Sequence, residues 1–208
     1  MTVSAIAVTE GSGKNIWTDQ RTVSAVVRQA QYVLLAEPAG ATYSVVAEDV
    51  SIANAGDHVL QIMAGASLYV RVYRIVIKQA ANTTAANAAG RTLEIRRLST
   101  AGTGGTVITP RPFDGGDAAA GATAMQGILN ANHGTEGDKL LRTYLVFRQA
   151  ILATGAQADD IWSWEAHPRG KPIIIAPGVT NGIGIVNITA TAGATVNVTV
   201  EFTETSYL

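Results

Sequence analysis

The sequence predicts an all-β chain, a jelly-roll-like antiparallel β-sandwich with an extended N-terminal arm. Three observations predict it. Residues 67–78 are dense in β-branched and aromatic side chains and hold no Gly or Pro, so they read as one long strand. Toward the C-terminus, Val196, Val198, Val200 and Phe202 alternate with Thr195, Asn197, Thr199 and Glu201, the pattern of a strand with one face in a core. Between these, strand-like runs recur at the short, regular spacing of a sandwich or jelly roll, roughly eight to ten in all.

Taken in order, residues 1–20 carry Gly11-Ser-Gly-Lys14 and scattered apolar residues without a period. Ordering a backbone costs about 1–2 kcal/mol per residue, more than so few apolar groups repay. An arm over 1–20 and a sandwich over 21–208 are therefore expected. Ile6, Val8 and Trp17 are unusual in a solvated tail, which makes them candidate contacts of the arm with a neighbouring subunit.

Residues 22–35 fit one extended strand or a short helix followed by a strand. Glu37-Pro-Ala-Gly40 is a turn signal, and 43–52 and 58–63 read as short strands around Asn54-Ala-Gly56. The 67–78 strand is followed by 91–98, with Leu93 and Ile95 on one face. A glycine-rich turn at 101–105 leads to a strand at 106–109, which Pro110 and Pro112 end because neither has an N–H to donate. Residues 114–121 form a loop with room for one helical turn capped by Asp117, and 130–138 form another polar loop. A long strand at 140–152 places Leu141, Leu145, Phe147 and Ile151 on one parity. Strands at 161–164, 172–178 and 182–189 precede the turn at Ala192-Gly193 and the last strand.

Composition narrows the function classes. Charged residues make up 15% of the 208, against a usual share of about 25%, and the formal net charge is −1. A shortage of both signs fits a surface covered by other chains, or a Gly/Ala/Thr-rich protein that solvates itself with Thr, Asn and Ser. Without a basic excess, no nucleic-acid partner is expected. The chain has no cysteine, hence no disulfide and no thiolate metal site. Its apolar runs fall far short of the ~20 residues needed to cross a bilayer, so no membrane partner is expected. Met1-Thr-Val-Ser-Ala5 lacks the basic start and apolar core of a secretion signal, so synthesis in a cytoplasm is expected.

No motif carries chemistry. Gly11-Ser-Gly-Lys14 lacks the rest of a phosphate loop, with Val8 and Asn15 at the positions that need Gly and Ser or Thr. Asp159, Asp160, Glu165 and His167 are the one acidic and histidine cluster in sequence. Carboxylates there suit a hard cation or acid–base work, but a solvated turn fits better. His58, His133 and His167 are far apart and no serine sits in a Gly-x-Ser-x-Gly elbow, so no enzyme, catalytic residue, metal or cofactor is expected. Trp162 and Trp164 share a parity, which suits a sugar platform but better suits packing under a loop or at a subunit contact. Arg71, Arg74, Arg91, Arg96 and Arg97 crowd the central strands, where guanidinium forks can meet Glu94 or a partner's carboxylates. Of these, Arg71, Arg74, Arg96 and Arg97, with Trp162 and Trp164, are candidate interface residues.

One resemblance rests on four segments in fixed order. They are Ala64-Gly-Ala-Ser-Leu-Tyr-Val-Arg-Val-Tyr-Arg-Ile-Val-Ile, Leu93-Glu-Ile-Arg-Arg-Leu-Ser-Thr-Ala-Gly-Thr-Gly-Gly, Thr109-Pro-Arg-Pro-Phe-Asp and Pro172-Ile-Ile-Ile-Ala-Pro-Gly. Together they resemble tailed-bacteriophage virion structural proteins of jelly-roll type, in particular capsid decoration or cement proteins and head-fibre-like proteins. The resemblance covers roughly residues 45–208 and leaves the arm aside. It implies a non-enzymatic homo-oligomer, expected as a homotrimer, on the capsid surface of a virion and bound to the major capsid protein. The alternative it leaves open is a carbohydrate- or receptor-binding sandwich of a virion fibre or tail.

Overall fold

The computed structural model describes residues 17–23, 26–32, 41–80, 89–147, 161–167 and 171–206. Contacts divide the chain into two units, 1–39 and 40–208. In the first, β1 (Trp17–Val23) and β2 (Val26–Tyr32) form an antiparallel hairpin in which Trp17 faces Tyr32 and Val23 faces Val26. The boundary expected between 20 and 21 thus falls inside a strand, and the chain divides at 39/40. Both readings of 22–35 missed the hairpin. Its polar strands show little apolar alternation, and Ser24-Ala25 between them is not one of the Asn-Gly, Asp-Gly or Gly-x pairs that two-residue hairpin turns favour. Ile6 and Val8 lie outside the described residues.

The second unit is an antiparallel β-sandwich, as expected. Its strands are β3 (Thr42–Ser51), β4 (His58–Met63), β5 (Tyr69–Gln79), β6 (Ala89–Leu98), β7 (Thr106–Ile108), β8 (Arg111–Pro112), β9 (Thr123–Ile128), β10 (Glu136–Phe147), β11 (Ile161–Glu165), β12 (Ile173–Ile175), β13 (Gly182–Asn187) and β14 (Thr195–Thr205). One sheet has the order β10-β6-β13-β4-β9-β7; the other has β11-β5-β14-β3-β8, with β12 also on β5. The pairing is nested: β3 with β14, β4 with β13, β5 with β11 and β12, β6 with β10. The two long strands that announce the fold, β5 and β6, lie in different sheets.

The alternation read in β14 holds. Val196, Val198, Val200 and Phe202 are fully buried against Val45, Ala47, Val72, Ile75 and Ile77 of their own sheet and Leu93, Ile95, Ile183 and Ile185 of the other. The intervening positions are half-buried because β14 lies between β3 and β5. Opposite it, β3 carries one extra residue: Val196 faces Val50 while Val198 faces Ala47. Asp49 takes up the slack at φ +52, and its N–H donates to Asn197 Oδ1 at 2.7 Å.

Residues 99–128, between β6 and β10, add a flank outside the nested pairs. β9 and β7 extend one sheet beyond β4, and β8 extends the other beyond β3. Pro112 occupies a sheet edge, as its missing N–H requires. β9 was not legible in sequence, because Thr123-Ala-Met-Gln-Gly-Ile128 has no clean alternation and bends at Gly127, φ +66. At 114–121 the chain makes a turn and no helix: the Asp117 N–H donates to Asp114 O at 3.1 Å. No helix among the described residues is long and apolar enough to cross a membrane.

Candidate functional site

Two strands break the rule that a sandwich strand buries one face. Every residue of β4 and of β13 is buried. Leu60, Ile62, Ile183 and Ile185 face the core between the sheets. Of the three outward positions of β13, two fall to Gly182 and Gly184 and the third to Val186. A Cβ on Gly184 would stand 2.6 Å from His58 Nδ1, and one on Gly182 would strike Met63. These alternate glycines leave a trough on the outer face of the sheet, and side chains of β4 lie in it.

Loops 99–105 and 129–135 roof the trough and are joined to each other. The Ser99 N–H donates to Thr135 O at 3.0 Å, Thr103 N–H to Asn132 O at 2.9 Å, and Thr135 N–H to Thr100 Oγ1 at 2.7 Å. Gly102 must be glycine here, because a Cβ would stand 2.8 Å from Asn132 O.

Beneath the roof, hydrogen bonding fixes every proton on His58. The Gly102 N–H can only donate, so the atom 2.8 Å away is Gln61 Oε1. Gln61 Nε2 then donates to the His133 carbonyl at 2.7 Å and to His58 Nδ1 at 2.9 Å. With Nδ1 accepting, neutral His58 carries its proton on Nε2 and donates it to Glu136 Oε1 at 2.7 Å. Burial of His58, which is fully enclosed, pushes its pKa down; the Glu136 carboxylate opposes this without overcoming it.

The chain of contacts continues into charge. Arg96 pairs with the other oxygen of Glu136 and forks onto Glu94 Oε2 through Nε at 2.9 Å and Nη2 at 2.6 Å. Lys139 Nζ reaches Glu94 Oε1 at 2.5 Å, with Arg142 Nε at 3.5 Å. Glu94 is only 2% exposed although it points away from the core. Burial alone would raise the Glu94 and Glu136 carboxyls. Hydrogen bonds from Lys139 and Arg96, and from His58 and Arg96, outweigh it and hold both below the usual carboxylate range.

His58, His133 and Glu136 offer donor atoms within 4.8 Å of one another, a set whose chemistry suits zinc. The geometry does not. The two imidazoles stack with centroids 4.9 Å apart and planes 4° from parallel. Ring-nitrogen lone pairs lie in those separate planes and do not converge on one ion. A metal on His58 Nε2 would also move its proton to Nδ1, against the Gln61 amide. Catalysis is no better served, because no substrate reaches a histidine with no exposed surface. The cluster is a buried clasp.

Sequence distance hid this cluster: His58 and His133 are neighbours in space. The acidic and histidine group adjacent in sequence reads as a solvated turn. Glu165 and His167 are exposed, and Asp159 and Asp160 lie outside the described residues. Trp162 and Trp164 pair in register with Ile77 and Ile75 and pack, partly buried, against the core. Arg96 meets Glu94 as anticipated. Arg74 Nη1 lies 3.1 Å from Glu201 Oε1 on an exposed face, Arg71 is half-buried opposite Ile174, and Arg97 donates across to the Ile174 carbonyl. Trp17 heads β1 in the other unit. The Gly182-x-Gly184 alternation, with Gln61 inside an apolar run, was the signal that something polar covers this sheet. Comparison with protein-family models, curated proteins and solved structures finds no match.

Proposed function

We propose that this chain is a non-enzymatic structural protein of a tailed-bacteriophage virion, a decoration or cement protein that attaches to the outer surface of the head as an oligomer. The observation that carries the reading is the nested pairing. Strands β3 to β6 pair in reverse order with β14, β13, β11 and β10, as in a long hairpin rolled on itself. That supports a jelly roll, an architecture of viral capsid proteins and lectins. Fold alone does not fix function, so the side chains must decide. The buried clasp offers no substrate access, which supports binding over catalysis.

The flank added at 99–128 supplies a surface for attachment. Val107 is 70% exposed and Phe113 63%, and Val107 shares a groove of about 420 Å³ with Val46, Thr109 and Arg111. Attachment at several such points strengthens each weak contact through linkage to the others. Trp162 and Trp164 pack partly buried against the core, which supports attachment over a lectin's aromatic platform.

A cryo-electron map of the parent particle tests the proposal. Density for the sandwich on the head, in threefold groups, is the expected result. Its absence from the head, together with glycan binding by the isolated protein, would replace this reading with a receptor-binding one.

A further inference from the structure

The clasp contains a donor–acceptor arrangement that works in only one protonation state. Gln61 is held at three points: by the Gly102 N–H on its oxygen, and by the His133 carbonyl and His58 Nδ1 on its nitrogen. Flipping the amide would set its N–H₂ against the Gly102 N–H and its oxygen against the His133 carbonyl. The amide therefore has one orientation, and that orientation requires a bare Nδ1 on His58. The same amide is the tie between β4 and both roofing loops, since Gly102 lies in 99–105 and His133 in 129–135.

We propose that His58 is a proton-operated latch: a proton on its Nδ1 faces the Gln61 N–H₂ and releases loops 99–105 and 129–135 from the outer face of the sheet. The two loops keep their mutual bonds, Ser99 to Thr135 and Thr103 to Asn132, so they leave as one flap. The charged surroundings are complete enough to make the event specific. From β10, Glu136 faces His58 Nε2; from β6, Arg96 reaches the far oxygen of Glu136; from the roofing loop, the His133 ring stacks at 4.9 Å. Asp57, beside His58 in sequence, is occupied elsewhere, accepting from the Asn130 N–H at 2.8 Å and from Asn54 at 3.0 Å. Glu136 can hold an imidazolium through Nε2, but nothing on the Nδ1 side accepts a proton. The strain therefore falls on Gln61.

Glu136 already accepts from Nε2, so the proton arriving on acidification goes to Nδ1 and no other atom of the ring. This distinguishes a latch from general acid softening. Substituting Gln61→Glu supplies an acceptor opposite Nδ1 while keeping one for the Gly102 N–H. That variant should hold the loop 99–105 side closed when His58 is charged.

The test is a histidine ¹⁵N and amide-exchange titration of the full chain from about pH 7.5 down to about pH 4, a range that brackets the ordinary histidine pKa. The expected result is the Nε2–H tautomer of His58 at the upper end. As His58 then takes up its proton, protection at Gly102, corrected for intrinsic exchange, should fall about tenfold, the scale of one lost hydrogen bond. In Gln61→Glu the fall at Gly102 should be absent. The proposal is overturned by a His58 found as the Nδ1–H tautomer, by Gly102 protection that stays constant while His58 titrates, or by a His58 that remains neutral until the whole sandwich unfolds. The wild-type titration decides the matter even if Gln61→Glu does not fold.

Discussion

β14 and β4 are both interior strands of their sheets, yet they bury themselves in opposite ways. β14 alternates buried and half-buried along its whole length, apolar inward from Val196 to Phe202, with the Glu204 carboxylate at the last buried position accepting from the Gly121 and Ala122 N–H groups. β4 is buried at every residue, including His58 and Gln61. The difference lies in what covers the outer face. The outward positions of β14 stay half-buried, whereas over β4 two loops and a trough of alternate glycines build a second, polar layer. One layer is held by removal of apolar surface from water, which needs no partner-specific geometry. The other depends on each donor finding its acceptor.

Substitutions can break that contrast, and the largest effect is expected in the apolar layer. Val198→Asp would place an unpaired carboxylate where no surface is exposed and should cost roughly 4 kcal/mol or abolish folding. Thr199→Asp, one residue on and facing outward, should cost under about 1 kcal/mol. Equal losses in chemical denaturation would mean that the two faces are not distinct.

In the polar layer, Arg96→Met removes the cation shared by Glu94 and Glu136 and should cost about 2–3 kcal/mol, the scale of charge-assisted hydrogen bonds left unmade. A Glu94→Gln, Arg96→Met double variant should recover part of that loss, because the more deeply buried of the two carboxylates then carries no charge. A double variant no more stable than Arg96→Met alone would show that Glu94 is adequately held by Lys139.

A smaller effect, about 1–3 kcal/mol, is expected of Gly184→Ala, whose methyl would press on His58. Gly115→Ala meets nothing within 4 Å and serves as the neutral control. If the two melt alike, the trough is not filled as described.

The gentlest probe is pH. His58 binds its proton less tightly folded than unfolded, so its contribution is whole above the unfolded value near 6.5 and is lost as pH falls below it. Glu94 and Glu136 also hold protons less tightly when folded. Their contribution is whole above about 4.5 and drains away as pH falls further. Thermal stability should therefore decline in two stages on acidification, and His58→Gln should remove the first. A single stage beginning near 4.5 in the wild type would show that His58 does not report on folding.

How much of this was legible follows from the same contrast. The strands facing the inner core announce themselves through period-2 patterning, and β4, β5, β6 and β14 sit within a residue or two of where the sequence places them. β9 and the β1–β2 hairpin do not, because polar or glycine-bent strands leave no alternation to read. The clasp was invisible for a different reason. His58, Glu94 and Glu136 come from three separated segments, and hydrogen-bond complementarity at such range has no sequence period. Only Gln61, a polar residue inside an apolar run, and the paired glycines of β13 hinted at it.

The way the sheets end bears on life at high local concentration. β7 has three residues and β8 two, one of them Pro112, so neither offers a ladder long enough to recruit a strand. On the opposite side β10 is long, but its pairing slips twice between Glu136 and Leu141, and Lys139 and Arg142 project there half-exposed or more. Three of the four sheet edges are thereby poor templates for adding strand to strand into fibres.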